Sequence, residues 1–275
     1  VVACITDFGT ADYYAGALRG VLAAHIPPSA VVDVTHEIPA GDIRRAAILL
    51  WEAEPAFPKG TVFLVVVDPG VGSARLPAAF RFPRCAVVGP DNGLATFLME
   101  RYPEFDAVEI DPRSAADRPI SNTFHGRDLF APAAARLYRD GNFRALGRTL
   151  SSPVRLILPL LRGGKAGGWE GEILYIDRFG NAVTSIGQIS YDRKSIQPWL
   201  HTGAQPGAVP PAARLILEDG TSLPLGNTYA DANESGGRIA LVGSNGLLEI
   251  AAGPGPGVGS GVLKPGNRVR LAAAP

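Results

Sequence analysis

Thr61-Val62-Phe63-Leu64-Val65-Val66-Val67 runs without a charged residue into Asp68-Pro69-Gly70-Val71-Gly72. A short, β-branched apolar run closed by Pro and Gly reads as a strand buried on both faces. Helices packed on a parallel sheet create that environment. The flanking sequence agrees. Val1 to Ile5 is a second apolar run, ending in Thr6-Asp7-Phe8-Gly9, and a helical stretch follows from about Tyr13 to His25, stopped by Pro27-Pro28. Ala30 to Val34 reads as a strand. Asp42 can cap a helix whose apolar positions are Ile43, Ala46, Ala47 and Leu50. Cys85 to Val88 and Ala107 to Ile110 read as further strands, with helices over Leu94 to Arg101 and Arg127 to Tyr138. This rhythm predicts an α/β domain over residues 1–155 with a mostly parallel central sheet.

The rhythm changes after about Leu150. Pro153, Pro159, Gly163-Gly164 and Gly167-Gly168 mark a connection. Beyond it come short strands without a helical period: Glu172 to Ile176, Ala182 to Ile186, Arg214 to Leu217, Arg238 to Val242, Leu247 to Ile250 and Arg268 to Leu271. The expectation is a smaller antiparallel, barrel-like β domain over residues 165–275. Gly203 to Pro211 and Gly253 to Gly261 read as surface loops.

The chain has 275 residues, 46% of them apolar, with 26 basic and 26 acidic side chains. Zero net charge argues against nucleic acid or an anionic membrane as partner. No apolar run approaches the roughly 20 residues of a membrane helix. Cys4 and Cys85 each lie inside an apolar run, so two buried thiols in a reducing, cytoplasmic setting are expected. No zinc spacing is present, and His25, His36, His125 and His201 are scattered, so no metal is expected. The chain opens on a strand-like run at Val1 without a visible leader, and a few native residues are expected ahead of it.

In open α/β sheets ligands bind beyond the carboxyl ends of the strands. Asp7 and Asp68 both stand there, each followed by a glycine-containing turn that lets backbone approach a ligand. Each acid alone could cap a helix or form a turn; two at one edge favour a pocket. Gly89-Pro90-Asp91-Asn92-Gly93 follows a strand, Thr123-Phe124-His125-Gly126-Arg127-Asp128 precedes a helix that Asp128 could cap, and Asp177-Arg178-Phe179-Gly180-Asn181 has hairpin-turn spacing.

Taken in order with Ile5-Thr6-Asp7-Phe8-Gly9, the Asp68 motif and Arg75, these segments resemble the S-adenosyl-L-methionine (SAM) hydroxide adenosyltransferases, relatives of the SAM-dependent fluorinase and chlorinase. Val242-Gly243-Ser244-Asn245-Gly246-Leu247-Leu248-Glu249-Ile250-Ala251 is similar to that family's C-terminal substrate segment. The resemblance runs from Ile5 to about Ala251. It implies an N-terminal α/β and a C-terminal β domain, assembled as a homotrimer with SAM at subunit interfaces. It implies Asp68, Arg75 and His125 as the catalytic triad that positions and activates water. Asp7 would hold the ribose hydroxyls, with Phe8 and Asn92 also in the substrate-binding set. Phe179 and Asn181 would contact the adenine. Ser244, Asn245, Glu249 and the backbone near Ala251 would hold the methionine end. His36, in Val34-Thr35-His36-Glu37-Ile38, resembles a further family motif and is expected to shape the pocket wall.

The implied reaction is hydrolysis of SAM to adenosine and L-methionine, with no cofactor because SAM is itself the substrate. The fluorinase carries Tyr at the place of Asp68, Thr at that of Val71, and an added loop that the short Leu76 to Arg84 segment has no room for. A carboxylate would also repel a halide. Two alternatives stand beside the hydrolase: a non-catalytic SAM or adenosine sensor, and a halogenase. A methyltransferase fits less well, since Thr6-Asp7-Phe8-Gly9-Thr10 lacks the glycine spacing of its first loop.

Overall fold

The structure is a computed structural model that describes residues 1–116, 118–163, 168–200, 204–234, 237–252 and 263–274. The chain divides into two compact units, Val1–Leu156 and Ile157–Pro275.

The first unit contains strands β1 (Val2–Thr6), β2 (Val31–Thr35), β3 (Thr61–Val66), β4 (Pro77–Arg81), β5 (Cys85–Pro90), β6 (Asp106–Ile110) and β7 (Gly147–Thr149). Its helices are α1 (Tyr14–His25), α2 (Ile43–Ala53), α3 (Thr96–Arg101), α4 (Pro112–Ala115) and α5 (Ala131–Asp140). The strands form one sheet in the order β2-β1-β3-β5-β4-β6-β7. The pairs β1–β2, β1–β3 and β3–β5 are parallel. The pairs β4–β5, β4–β6 and β6–β7 are antiparallel, so the sheet is mixed rather than mostly parallel. The Leu76 to Arg84 segment is therefore not a plain connection: it carries β4, whose five residues close a hairpin onto β5.

The uninterrupted apolar run of β3 has a direct cause. Successive side chains point to opposite faces. Val62, Leu64 and Val66 enter one core with Leu18 and Leu22 of α1 and Ala131, Ala134 and Ala135 of α5. Phe63, Val65 and Val67 enter the other with Ala46 and Leu50 of α2 and Leu98 and Met99 of α3. β1 divides in the same way, Val2 and Cys4 against Ala3 and Ile5. Each fully buried Val, Leu or Phe contributes about 1.5–3 kcal/mol, so both faces must be apolar for the layers to hold. Asp42 caps α2, accepting from Arg45 N at 2.8 Å, as its sequence position predicts. The helix expected over Arg127 to Tyr138 instead opens with a π-helical turn, Gly126–Phe130, before α5 begins. Asp128 caps nothing there; it accepts from Ser121 N at 3.0 Å and pairs with Arg118 and Arg127.

Because β2, β1, β3 and β5 are parallel, the segments leaving their carboxyl ends share one edge. His36, Asp7, Asp68 and Asn92 all leave from that edge.

The second unit is built mainly of strands, with one helical turn, α6 (Asp231–Glu234): β8 (Leu161–Gly163), β9 (Trp169–Ile176), β10 (Ala182–Thr184), β11 (Ser195–Ile196), β12 (Gly207–Ala208), β13 (Arg214–Leu217), β14 (Ser222–Pro224), β15 (Arg238–Val242), β16 (Leu248–Ala252) and β17 (Arg268–Ala272). The main sheet runs β14-β13-β17-β9-β10-β16-β15, with β8 on β9, and its named pairings are antiparallel. A bridge between Leu225 and Ala240 brings its two ends together into a nearly closed, barrel-like sheet. Closure removes the exposed edges that an open sheet would present. Within the expected Gly203 to Pro211 loop, β12 pairs with β11. The expected loop at Gly253 to Gly261 lies outside the described residues.

Candidate active site

Beyond the carboxyl edge of the parallel strands, the first unit holds a cleft of about 340 Å³. Asp7, Phe8, Gly41, Asp68, Val71, Phe124, His125 and Gly126 are among the residues that line it. Four of the candidates marked in the sequence, Asp7, Phe8, Asp68 and His125, thus stand in the wall of one cavity.

Arg75 joins two of them. Its Nε donates to Asp68 Oδ1 at 2.9 Å and Oδ2 at 3.1 Å, and its NH2 nitrogen makes a close contact with Oδ2. The same NH2 nitrogen lies 2.7 Å from His125 Nδ1. The pair is shielded, with side-chain exposure of 10% for Arg75 and 6% for Asp68. The guanidinium also lies 5.1 Å from the ring centroid of Phe130, which walls off its other side. Burial and then the Arg75 charge hold the His125 imidazolium less stable than usual, so its pKa lies below the ordinary histidine value. His125 is neutral near pH 7.

Two glycines make this meeting of segments possible. Gly72 has φ +77°, and a Cβ there would stand 2.6 Å from the Asn122 carbonyl oxygen, so the Asp68 loop docks backbone-on-backbone against the His125 segment. A Cβ on Gly126 would stand 3.0 Å from Phe8 Cζ, so a small residue here lets the π-turn pack on the Phe8 ring. Phe8 and Phe124 meet edge to face with centroids 5.6 Å apart, forming the apolar side of the cleft. Asp7 accepts the Gly41 amide on Oδ2 at 2.9 Å. A carboxylate has further acceptor sites, so Oδ1 can take hydroxyls of a ligand. Gly41 carried no sequence signal, since a backbone amide is invisible to residue type.

Asn92 is not among the cleft-lining residues. Its Nδ2 donates to the Val67 carbonyl at 2.9 Å, immediately before Asp68.

The remaining candidates belong to the second unit. Asp177 accepts from the amides of Phe179 and Asn181, both at 2.8 Å, and from Asn181 Nδ2 at 3.0 Å. That turn presents the Phe179 ring at 83% exposure. Asn245 Oδ1 accepts from Leu247 N at 3.0 Å, fixing the turn that follows the exposed Ser244. The buried Glu249 accepts from the Tyr229 hydroxyl, a partner the sequence reading missed because nothing in Asn227-Thr228-Tyr229 marks it. Burial, then the bond to Glu249, raise the Tyr229 pKa, which keeps that donor protonated. The Ala251 side chain is fully buried among Ala232, Ile239 and Leu241, and the residue stands opposite Ile239 in the antiparallel pairing of β15 with β16.

Among the described residues no group of three or more His, Cys, Asp or Glu side chains is placed to hold a metal ion.

The model of the SAM hydroxide adenosyltransferase N-terminal domain matches residues 2–147, and that of the C-terminal domain matches residues 171–270. The chain belongs to this family. Among its curated relatives are (R)-S-adenosyl-L-methionine hydrolases of Thermus thermophilus, 37% identical over 97% of both chains, and of Salinispora tropica, 35% identical over 98% of this chain and 96% of the relative. A fluorinase of Actinoplanes sp. is more distant, at 27% identity over 93% of this chain and 92% of the relative. A crystal structure of an uncharacterized conserved protein from Thermotoga maritima superposes with a TM-score of 0.84 at 29% identity, covering 99% of this chain and 100% of the other.

Proposed function

We propose that this SAM hydroxide adenosyltransferase family member hydrolyses SAM to adenosine and L-methionine, with water attacking C5′. The observation that carries the reading is the part-buried Asp68–Arg75–His125 constellation, whose Asp68 and His125 line a cleft that also holds Asp7 and Phe8. Full-length similarity to SAM hydrolases, closer than that to fluorinases, supports water over halide. The names of those relatives specify the R sulfonium epimer, and the reading carries the same epimer.

The chemistry follows from the donors and acceptors present. The C5′–O bond forms as the C5′–S bond breaks, and sulfur takes the electron pair to leave as a neutral thioether. The leaving group needs no proton, so no general acid is required. The attacking water must be held in line and must lose a proton. Arg75 can only donate, so His125 Nδ1 accepts from it and the neutral ring carries its proton on Nε2. His125 then orients the water or a substrate hydroxyl as a donor. Asp68, held by two nitrogens of Arg75, is the acceptor for the water proton, which passes on to solvent. Asp7 holds the ribose hydroxyls, and Phe8 packs on the nucleoside.

We further propose a homotrimer, as the family resemblance implies, with Phe179, Asn181, Ser244, Asn245 and Glu249 of a neighbouring chain completing the site. A cytoplasmic setting, supported by two free, buried cysteines, and independence of any cofactor, metal, nucleic acid or membrane belong to the same proposal. No helix among the described residues is long and apolar enough to cross a membrane.

The test is incubation with each SAM epimer in ¹⁸O-labelled water, with chloride or fluoride present. Adenosine labelled in its 5′ hydroxyl, with equimolar methionine, is the expected result. A 5′-halo-adenosine would move the reading to a halogenase. Tight SAM binding without any product would move it to a sensor.

A further inference from the structure

A second histidine stands behind the cleft in an arrangement the reaction above does not use. His36 is 6% exposed. Its Nδ1 lies 2.8 Å from Thr6 Oγ1, and its Nε2 lies 3.2 Å from Asp33 Oδ1, off the line of a good hydrogen bond. Asp33 is held in turn by Arg19 NH1 at 2.7 Å. Carboxylate, imidazole and hydroxyl follow one another as in a nucleophilic triad. Thr6 is fully buried, however, and its Oγ1 accepts the Phe8 amide at 3.2 Å, so the hydroxyl has no access to a substrate.

The contacts run instead into the cleft wall. The His36 carbonyl accepts the Gly9 amide at 2.7 Å, and the Thr6 carbonyl accepts the Ile38 amide at 3.3 Å. Two loops are therefore laced together. One carries Asp7 and Phe8, the other Ala40 and Gly41, and all four residues line the cleft. The Asp7 carboxylate closes the lacing through the Gly41 amide. With a carboxylate beside Nε2, the ring keeps its proton there, Nδ1 accepts the Thr6 hydroxyl proton, and Thr6 Oγ1 remains free to accept from Phe8. The Phe8 amide and the Thr6 hydroxyl each then have an acceptor, and the Nε2 proton faces the Asp33 carboxylate at 3.2 Å.

We infer that His36 is a positioning residue: acting through Thr6, it sets the place of the Asp7 carboxylate and the Phe8 ring in the cleft. This rests on the proposed SAM site for its kinetic consequence, but not for its structural one.

Thr6→Val removes the hydroxyl and keeps the shape. His36→Asn retains a polar atom near the Nδ1 position, whereas His36→Gln places it near Nε2. The expected result is a KM for SAM and a Kd for adenosine raised about tenfold in Thr6→Val and His36→Gln, with kcat changed less than KM. His36→Asn should restore both constants to within about threefold of the parent. Faster exchange of the Phe8 and Gly9 amide protons should accompany the two weak variants. Parent KM and Kd in Thr6→Val and His36→Gln, with only the melting temperature lowered, would overturn the inference. If the parent itself neither cleaves SAM nor binds adenosine, the proposed function fails; amide exchange still decides the lacing, faster in Thr6→Val if it holds and unchanged if it does not.

Discussion

The NH2 nitrogen of Arg75 stands 2.7 Å from Nδ1 of His125, across a sequence separation of 50 residues. A guanidinium has donors only, so this contact requires an unprotonated Nδ1 and fixes the imidazole in one tautomer. Protonating Nδ1 would set two cations against each other in a shielded site.

That relationship predicts the acid limb of the pH profile. The pKa of His125 is held below its ordinary 6.5, by burial first and Arg75 second. Turnover should be level above that value and fall as pH drops through the lowered pKa. Arg75→Gln removes one of the lowering causes, so the midpoint of the His125 titration, followed by NMR, should move upward. Between the lowered pKa and 6.5 the unfolded chain binds more protons than the folded one, so this group makes stability rise with pH in that window. A midpoint above 6.5 in the parent would contradict the tautomer assignment.

Asp68→Asn should leave adenosine affinity within a few-fold of the parent and lower kcat by roughly 10²- to 10⁴-fold, the usual worth of a positioned base. The variant also leaves the part-buried Arg75 without its full charge partner, so its melting temperature should fall. Single-turnover cleavage separates the two effects. Parent-like chemistry in the folded variant would remove Asp68 from the reaction.

Asp7→Ala should weaken nucleoside binding, because a hydrogen bond to a charged group is worth about 1.5–3 kcal/mol, or about ten- to a hundredfold in Kd. Calorimetry with adenosine and 2′-deoxyadenosine checks the assignment. The parent should prefer the ribonucleoside, and the variant should lose most of that preference.

The two thiols should be inert in the folded protein. Burial first, and a neighbouring carboxylate second, push Cys4 and Cys85 up to about 12. Iodoacetamide at pH 8 should modify neither until denaturant is added, since the thiolate is the reactive form. Rapid labelling of the native chain would show that these strands open readily.

Much of the fold was legible because burial leaves a periodic trace. β3 and β1 are apolar on both faces, and both faces are covered. β4 left no comparable trace: Pro77-Ala78-Ala79-Phe80-Arg81 is short and starts at a proline, and its antiparallel place between β5 and β6 depends on partners remote in sequence. The π-helical turn at Gly126–Phe130 was equally silent, since residue type does not distinguish it from an α-helical start. In the cleft the side chains of Asp7, Asp68 and His125 stood out by position and motif, whereas the Gly41 amide did not; in the second unit, Tyr229 did not.

The amino-acid sequence by itself determined the layered sheet and the edge at which chemistry would gather, because hydrophobic alternation and strand ends are local properties of the chain. Tertiary structure alone decided that Arg75 sits between Asp68 and His125, that Asp128 ties down its own segment instead of capping a helix, and that His36 reaches Asp7 through Thr6. Hydrogen bonds depend on tenths of an ångström and on direction. Those quantities are set where distant segments pack together, and no local pattern of residues encodes them.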